Sequence, residues 1–223
     1  MKIILLAATS LEIQAVLNFL DQNGNQINLT EYTYKKHSVH PLISGVGSPL
    51  TAFALGRYLH LNNMDLLLHV GICGSYQSNA ILGEVIEVSK ERWADMGAED
   101  QNNNLIDVFE LGLCNANQFP FSEGWIENVN NKINTKLRTV SGLTVNKTSG
   151  NSSTIEKLKS KYSAEVESME GAAVFYSARM RYIPFLSIRA ISNIVEPRNK
   201  DNWKIQLAVQ NLNQYIISFL EKL

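Results

Sequence analysis

Short apolar runs alternate along the chain with segments whose apolar residues recur at intervals of three and four. Residues 3–8 form a continuous apolar run, the pattern of a strand buried on both faces of a parallel sheet. Thr9 or Ser10 can cap the helix that follows, with Leu11, Ala15, Phe19 and Leu20 as its apolar set. Looser alternation over 26–44 predicts one or two strands ending at Gly45 and Gly47. Ser48 as N-cap and Pro49 as first residue then open a helix through Phe53, Leu55, Tyr58 and Leu59. Strands are predicted over 66–70 and 84–89, followed by an excursion over 91–120 with few periodic signals, and such loops are commonly functional. Beyond it come a polar helix near 122–136, a strand over 139–145 and a helix through Ile155 and Leu158. A short extended piece over 164–167, a helix over 170–181 and a buried strand over 184–191 precede the last helix. That helix carries Leu207, Leu212, Tyr215, Ile216, Phe219 and Leu220.

Strands alternating with helices predict an α/β fold, a three-layer αβα sandwich around a mostly parallel, mixed central sheet. No repeat, low-complexity tract or Pro/Gly-rich linker divides the chain, so residues 1–223 are expected to form one domain. Ligands in such folds gather at the carboxyl ends of the strands. The residues of interest all lie just past a predicted strand: Glu12, Gly45 and Gly47, the 71–75 turn, 144–146, 167–170 and 189–193.

Twenty Lys and Arg stand against twenty-one Asp and Glu, a net charge of −1, so no basic excess exists to neutralise a phosphate backbone. Nucleic acid is therefore not expected as a partner. No apolar run approaches the roughly 20 residues needed to cross a bilayer, and no membrane span is expected. The N-terminal run is also shorter than the usual apolar stretch of a secretory leader, and Glu12 follows it closely. Cys73 and Cys114 form no CxxC or Cys/His cluster, which suits a reducing cytoplasm. The four histidines show no ligand spacing, and neither a dinucleotide fingerprint, a Walker A loop nor HExxH is present. Neither metal nor cofactor is expected.

Two segments stand out. In Val166-Glu167-Ser168-Met169-Glu170-Gly171-Ala172-Ala173, a carboxylate sits at a strand-to-helix junction before small residues. Favourable interaction with the helix dipole explains Glu170 as well as a binding role does. Arg189-Ala190-Ile191-Ser192-Asn193 ends an apolar strand in polar groups, as a plain loop start also would.

Together with Glu12, these segments resemble the nucleoside phosphorylase and nucleosidase superfamily over nearly the whole chain. Residues 166–173, 189–203 and 94–100 are similar to those of the futalosine hydrolases, which cleave futalosine into hypoxanthine and a dehypoxanthinyl product on a route to menaquinone. The resemblance implies the α/β phosphorylase-like sandwich, a small nucleoside as substrate and assembly as a homo-oligomer. Residue by residue, it implies that Glu12 orients or deprotonates the attacking water, with Arg189 charged nearby. It implies that Glu170 accepts from the ribose hydroxyls and that Met169 packs beneath the sugar. Asn193 stands where adenine-releasing nucleosidases carry an aspartate that protonates N7. An amide has no proton to give up and can bracket N7 and O6 of a 6-oxopurine, which favours hypoxanthine over adenine.

Phosphorolysis is disfavoured: the first arginine is Arg57, whereas the phosphorylases place one on the first helix, and Ile72 replaces the Ser or Thr of their glycine turn after Gly71. Thr144, Val145 and Asn146 match the segment bordering the base. Trp203, Arg198 and Lys147 are candidates for the aromatic acid end of futalosine, although Trp203 reads better as the first core residue of the last helix. Other readings are an aminofutalosine or methylthioadenosine/S-adenosylhomocysteine nucleosidase, and a non-catalytic nucleoside binder.

Overall fold

The computed structural model describes residues 1–129 and 133–223. The first strand, β1 (Lys2–Ala7), shows why its sequence is apolar throughout. Ile3, Leu5 and Ala7 face one core cluster, and Ile4 and Leu6 face a second on the opposite side of the sheet. Helix α1 (Ser10–Asn23) covers the first side. Its buried face is Ile13, Val16 and Leu20 rather than the expected Leu11 and Ala15, and Leu11 is exposed.

Three strands, where the pattern indicated one or two, follow as β2 (Asn25–Asn28), β3 (Glu31–Tyr34) and β4 (His37–Ile43). β4 returns parallel to β1. Helix α2 (Ser48–Leu61) starts one residue earlier than expected: Gly47, at φ +97°, is its N-cap and Ser48 its first residue. Thr51, Leu55 and Leu59 are its inward face, while Phe53 is exposed.

Strand β5 (Leu66–Ser75) is the hub. One of its edges pairs with β1 over Leu66–His69 and with β12 (Val166–Ser168) at Gly74 and Ser75. Its other edge pairs along its length with β13 (Phe185–Ile194). β13 in turn pairs with β6 (Val85–Trp93), β6 with β11 (Thr139–Thr144), and β11 with β12. Five strands thus close a ring within the larger mixed sheet. Pattern alone indicates the parallel core of this sheet but not its closure, since closure depends on which edges meet.

Between β6 and β11 lie β7 (Gly97–Glu99) and β8 (Leu105–Asp107), a small hairpin, and the edge strands β9 (Phe121–Ser122) and β10 (Trp125–Glu127). The helix expected near 122–136 is therefore corrected: Glu123 and Gly124, both at positive φ, make a turn, and β10 joins the edge of β6. Residues 130–132 of that span lie outside the described residues. α3 (Ser152–Tyr162), capped by the Asn151 side chain, packs on a third cluster with Leu143 and Val145. α4 (Gly171–Met180) lies against α2, and α5 (Ile205–Lys222) against α1. Leu207, expected on the buried face of α5, is partly exposed, and Ala208 takes that place. Among the described residues, no helix is long and apolar enough to cross a membrane.

Candidate active site

Glu12 is the third residue of α1, and its place follows from the way that helix begins. Its Oε2 accepts from the backbone N–H of Thr9 at 2.9 Å and from the Thr9 hydroxyl at 3.1 Å, a capping box that satisfies a donor left free at the helix start. Its Oε1 accepts from the Ile72 N–H at 3.2 Å, tying the carboxylate to β5. Buried Asn213 of α5 fixes the same turn from behind, accepting from Val16 N–H and donating to the Glu12 carbonyl. Three donors hold the carboxylate, leaving room on its lone pairs for a further one.

Glu170 closes the other side as the N-cap of α4. Its Oε1 accepts from Gly47 N–H at 2.9 Å, and its Oε2 stands 3.6 Å from a guanidinium nitrogen of Arg189. Arg189 is 1% exposed. It donates to His69 Nε2 at 2.6 Å and to the Ile72 carbonyl at 3.5 Å. Burial and the adjacent Arg189 charge push His69 well below the ordinary imidazole range. The ring is therefore neutral, accepts from Arg189 through Nε2 and donates through Nδ1 to Ser187 Oγ. A Cβ added at Gly71 would lie 2.2 Å from an Arg189 nitrogen and 2.8 Å from Glu12 Oε1, so the missing side chain lets this cation approach both carboxylates.

Beneath these groups lies Glu91, which no sequence signal singled out. It accepts from Thr144 Oγ1 at 2.9 Å, and Thr144 Oγ1 accepts from Ala172 N–H at 2.6 Å. The carboxyl fills the space that a side chain at Gly171 or Gly142 would need. Burial pushes Glu91 up to about 7, against the opposing pull of Arg189 and the Thr144 hydrogen bond, with the Glu170 charge adding to the rise. Because the folded protein holds this proton more tightly than the unfolded chain does, Glu91 lowers stability as pH rises from its unfolded value toward about 7. Glu91→Gln is expected to flatten that part of the curve, as measured by urea unfolding between pH 5 and 8; an unchanged slope would remove Glu91 as its source.

Glu12 and Glu170 open on a cavity of about 270 Å³ lined also by Ala8, Thr9, Val46, Ile72, Cys73, Gly74, Thr148, Ser149, Glu167, Ser168, Met169, Ser192, Asn193 and Trp203. Among the described residues, a wider groove of about 850 Å³ between α1 and α5 has Glu221 as its one charged lining residue and brings no set of converging charges together. In the smaller cavity, Asn193 sits at the end of β13. Its Nδ2 donates to the Ile194 carbonyl at 3.0 Å and its Oδ1 accepts from the Ser192 hydroxyl at 2.8 Å, which orients the amide and leaves one N–H free. Trp203 is a wall of the cavity and precedes α5 rather than starting its core; the Arg198 guanidinium lies 4.9 Å from its ring centre. Arg198 also donates to Thr148 Oγ1 at 3.1 Å.

The structure thus brings Glu12, Ile72, Met169, Glu170, Asn193 and Trp203 to one cavity, with Arg189 and Gly71 directly behind its wall. It does not bring Val145 or Asn146 there. Val145 is buried in the third cluster, and Asn146 turns away because its N–H and side chain both donate to Asp95. The wall past β11 is supplied by Thr148 and Ser149 instead, since the chain needs three further residues to turn back over the strand ends. Lys147 lines a different depression with Asp95 and Tyr162. Trp93 donates to Ser48 Oγ at 3.0 Å and packs beside Phe121 and Tyr176, a structural role. Glu167 is the cavity carboxylate that the sequence reading left without a role, although its place at the end of a short strand marked the same rim.

A model of the Phosphorylase superfamily matches residues 2–221. The chain belongs to that superfamily. This phosphorylase-superfamily protein is 28% identical over 173 residues to a futalosine hydrolase of Thermus thermophilus, covering 77% of this chain and 76% of the relative. It is 27% identical over 224 residues to a futalosine hydrolase of Streptomyces coelicolor, covering 97% and 94%. A 5'-methylthioadenosine/S-adenosylhomocysteine nucleosidase of Buchnera aphidicola is 26% identical, with 98% and 89% covered. The solved futalosine hydrolase of Helicobacter pylori shares the fold at a TM-score of 0.80 and 16% identity, covering 100% of this chain and 98% of that one.

Proposed function

We propose that this phosphorylase-superfamily protein is a nucleosidase that hydrolyses the N-glycosidic bond of futalosine, releasing hypoxanthine and a dehypoxanthinyl product. The observation that carries this reading is the arrangement around one cavity: two carboxylates, Glu12 and Glu170, near a buried arginine, and the amide of Asn193. Cleavage of this bond passes through an oxocarbenium-like state, which negative charge beside the sugar and an activated water both favour. Glu12 takes a proton from the water as its oxygen attacks the anomeric carbon. The bond to N9 breaks, its electron pair leaves with the purine as an anion, and that anion takes a proton from solvent to become hypoxanthine while Glu12 returns its own proton to solvent. Glu170 accepts from the ribose hydroxyls, and Arg189 fixes the orientation of Glu170. The free N–H of Asn193 donates to the N7 and O6 edge of the leaving base without yielding its proton.

Water rather than phosphate fits as the nucleophile, because among the described lining residues of the cavity none is Lys or Arg. Trp203, with Arg198 stacked over it, suits an aromatic carboxylate at the far end of the substrate. In this reading the protein acts in the cytoplasm, as a homo-oligomer, in menaquinone formation.

A product assay tests the proposal. Purified protein is incubated with futalosine, aminofutalosine, methylthioadenosine and inosine, each with and without phosphate, and free base is followed by chromatography. Hypoxanthine from futalosine without phosphate is the expected result. Adenine release as the main activity, or a requirement for phosphate, would overturn it.

A further inference from the structure

Glu167 is a buried carboxylate on the wall of the cavity to which the mechanism above gives no task. Its Oε2 accepts from the Tyr76 hydroxyl at 2.7 Å, and its Oε1 accepts from the Ser149 N–H at 2.9 Å. Burial and the Glu167 charge push the Tyr76 phenol far above its ordinary range, so Tyr76 remains a donor. Two donors thus hold the carboxylate rigidly, and a carboxylate offers about four acceptor positions, so it retains capacity toward the cavity.

The sheet register places Glu167 opposite Asn193. In the ladder, Glu167 on β12 pairs with Gly74 on one side of β5, and Asn193 on β13 pairs with the same glycine on the other. Two strand spacings separate their backbones, about 10 Å. Residue 74 is glycine and adds no side chain of its own between them; a Cβ there would come within 2.9 Å of Val195 Cγ2 and 3.1 Å of Asn193 Nδ2, so Val195 borders the gap on the Asn193 side. The gap is therefore flanked by an acceptor-only group on one side and by an amide with a free N–H on the other.

A 6-oxopurine carries a matching pair on one edge: N1–H donates, and O6 accepts. A 6-aminopurine carries the reverse, with N1 accepting and the amino group donating. We infer that Glu167 is a specificity-determining residue that accepts from N1–H of a 6-oxopurine while Asn193 donates to O6 and N7. The inference rests on the nucleosidase reading above and assigns the base preference to two residues, where the sequence offered only Asn193. An adenine ring in the same place would set its N1 lone pair against the carboxylate, an unpaired and repulsive contact.

Calorimetry with free bases tests this separately from turnover. The wild-type protein is titrated with hypoxanthine, 1-methylhypoxanthine and adenine, and the hypoxanthine and adenine titrations are repeated with Glu167→Gln. Hypoxanthine is expected to bind roughly 10- to 100-fold more tightly than either other base, the scale of one hydrogen bond to a charged group. Glu167→Gln, whose amide can present either a donor or an acceptor, should lower the hypoxanthine-to-adenine affinity ratio at least tenfold, about the same scale. A merely structural role would weaken both bases alike and leave that ratio unchanged, which would overturn the assignment. Equal wild-type affinity for hypoxanthine and 1-methylhypoxanthine would overturn it without any variant. Base binding without discrimination, accompanied by cleavage of futalosine, would refute the role of Glu167 and leave the nucleosidase reading standing; failure to bind any purine base or to cleave any nucleoside would refute both.

Discussion

Replacing Glu12 by Gln is expected to reduce turnover of futalosine at least a hundredfold, within the roughly 10²–10⁴ supplied by a positioned general base. The amide cannot take a proton from water, and it also replaces an acceptor by a donor in a site built from donors. Either Thr9 N–H with its hydroxyl or Ile72 N–H would then face an NH₂ group. Loss of the reciprocal cap at the start of α1 should cost about 1 kcal/mol of stability, too little to unfold the protein. Affinity for free hypoxanthine should change little, because Asn193 and Glu167, not Glu12, flank the space assigned to the base. Steady-state kinetics with futalosine, joined to calorimetry with hypoxanthine, separates these effects. Turnover within a factor of three of wild type would remove Glu12 from the chemistry, whereas loss of turnover and base binding together would point to a collapsed site.

The second large effect is thermodynamic. Arg189→Met should destabilise the protein by roughly 3–5 kcal/mol, the usual cost of leaving a buried charge without its partner. Arg189 is the counter-charge of Glu170 and lies within reach of Glu12 and Glu91. It is also the donor to which the neutral His69 is oriented. Methionine fills a similar volume and supplies none of these interactions, so the loss is electrostatic rather than a cavity effect. Urea unfolding near pH 7 measures it, and a midpoint indistinguishable from wild type would show that the carboxylates are satisfied without the cation. Activity should be lost as well, since among the described residues Glu170 would keep the Gly47 N–H alone to hold its carboxylate in place.

Much of this molecule is legible from local pattern. The apolar run of β1, buried on both faces, implies helices on both sides of a sheet, and the structure has them. The expectation that residues at or just past the predicted strand ends converge on one rim picks out Glu12, Met169, Glu170, Asn193 and Ile72, all of which line one cavity, although β5 and β13 extend far enough to include Ile72 and Asn193. Local pattern fails where neighbours in space outweigh neighbours in sequence. The 122–136 segment has polar, helix-compatible composition, but the open edge of β6 takes Trp125 to Glu127 as a strand, because pairing that edge satisfies backbone groups that a detached helix would not. Asn146 lies at a strand end as expected, yet Asp95 draws its side chain and its N–H away from the cavity.

By itself, then, the sequence determined the alternation of strands and helices, the two-sided sheet and the residue types able to act on a glycosidic bond, since these depend on periodicity and on the chemistry of single side chains. Only the tertiary structure decided that β5, β13, β6, β11 and β12 close into a ring, that Arg189 lies behind Glu170 and near Glu12, and that Glu167 stands across Gly74 from Asn193. The reason is that these are relations between residues far apart in the chain. Strand register and the absence of a side chain at Gly71 and Gly74 set the distances among them, and no local stretch of sequence encodes a distance to a residue a hundred positions away.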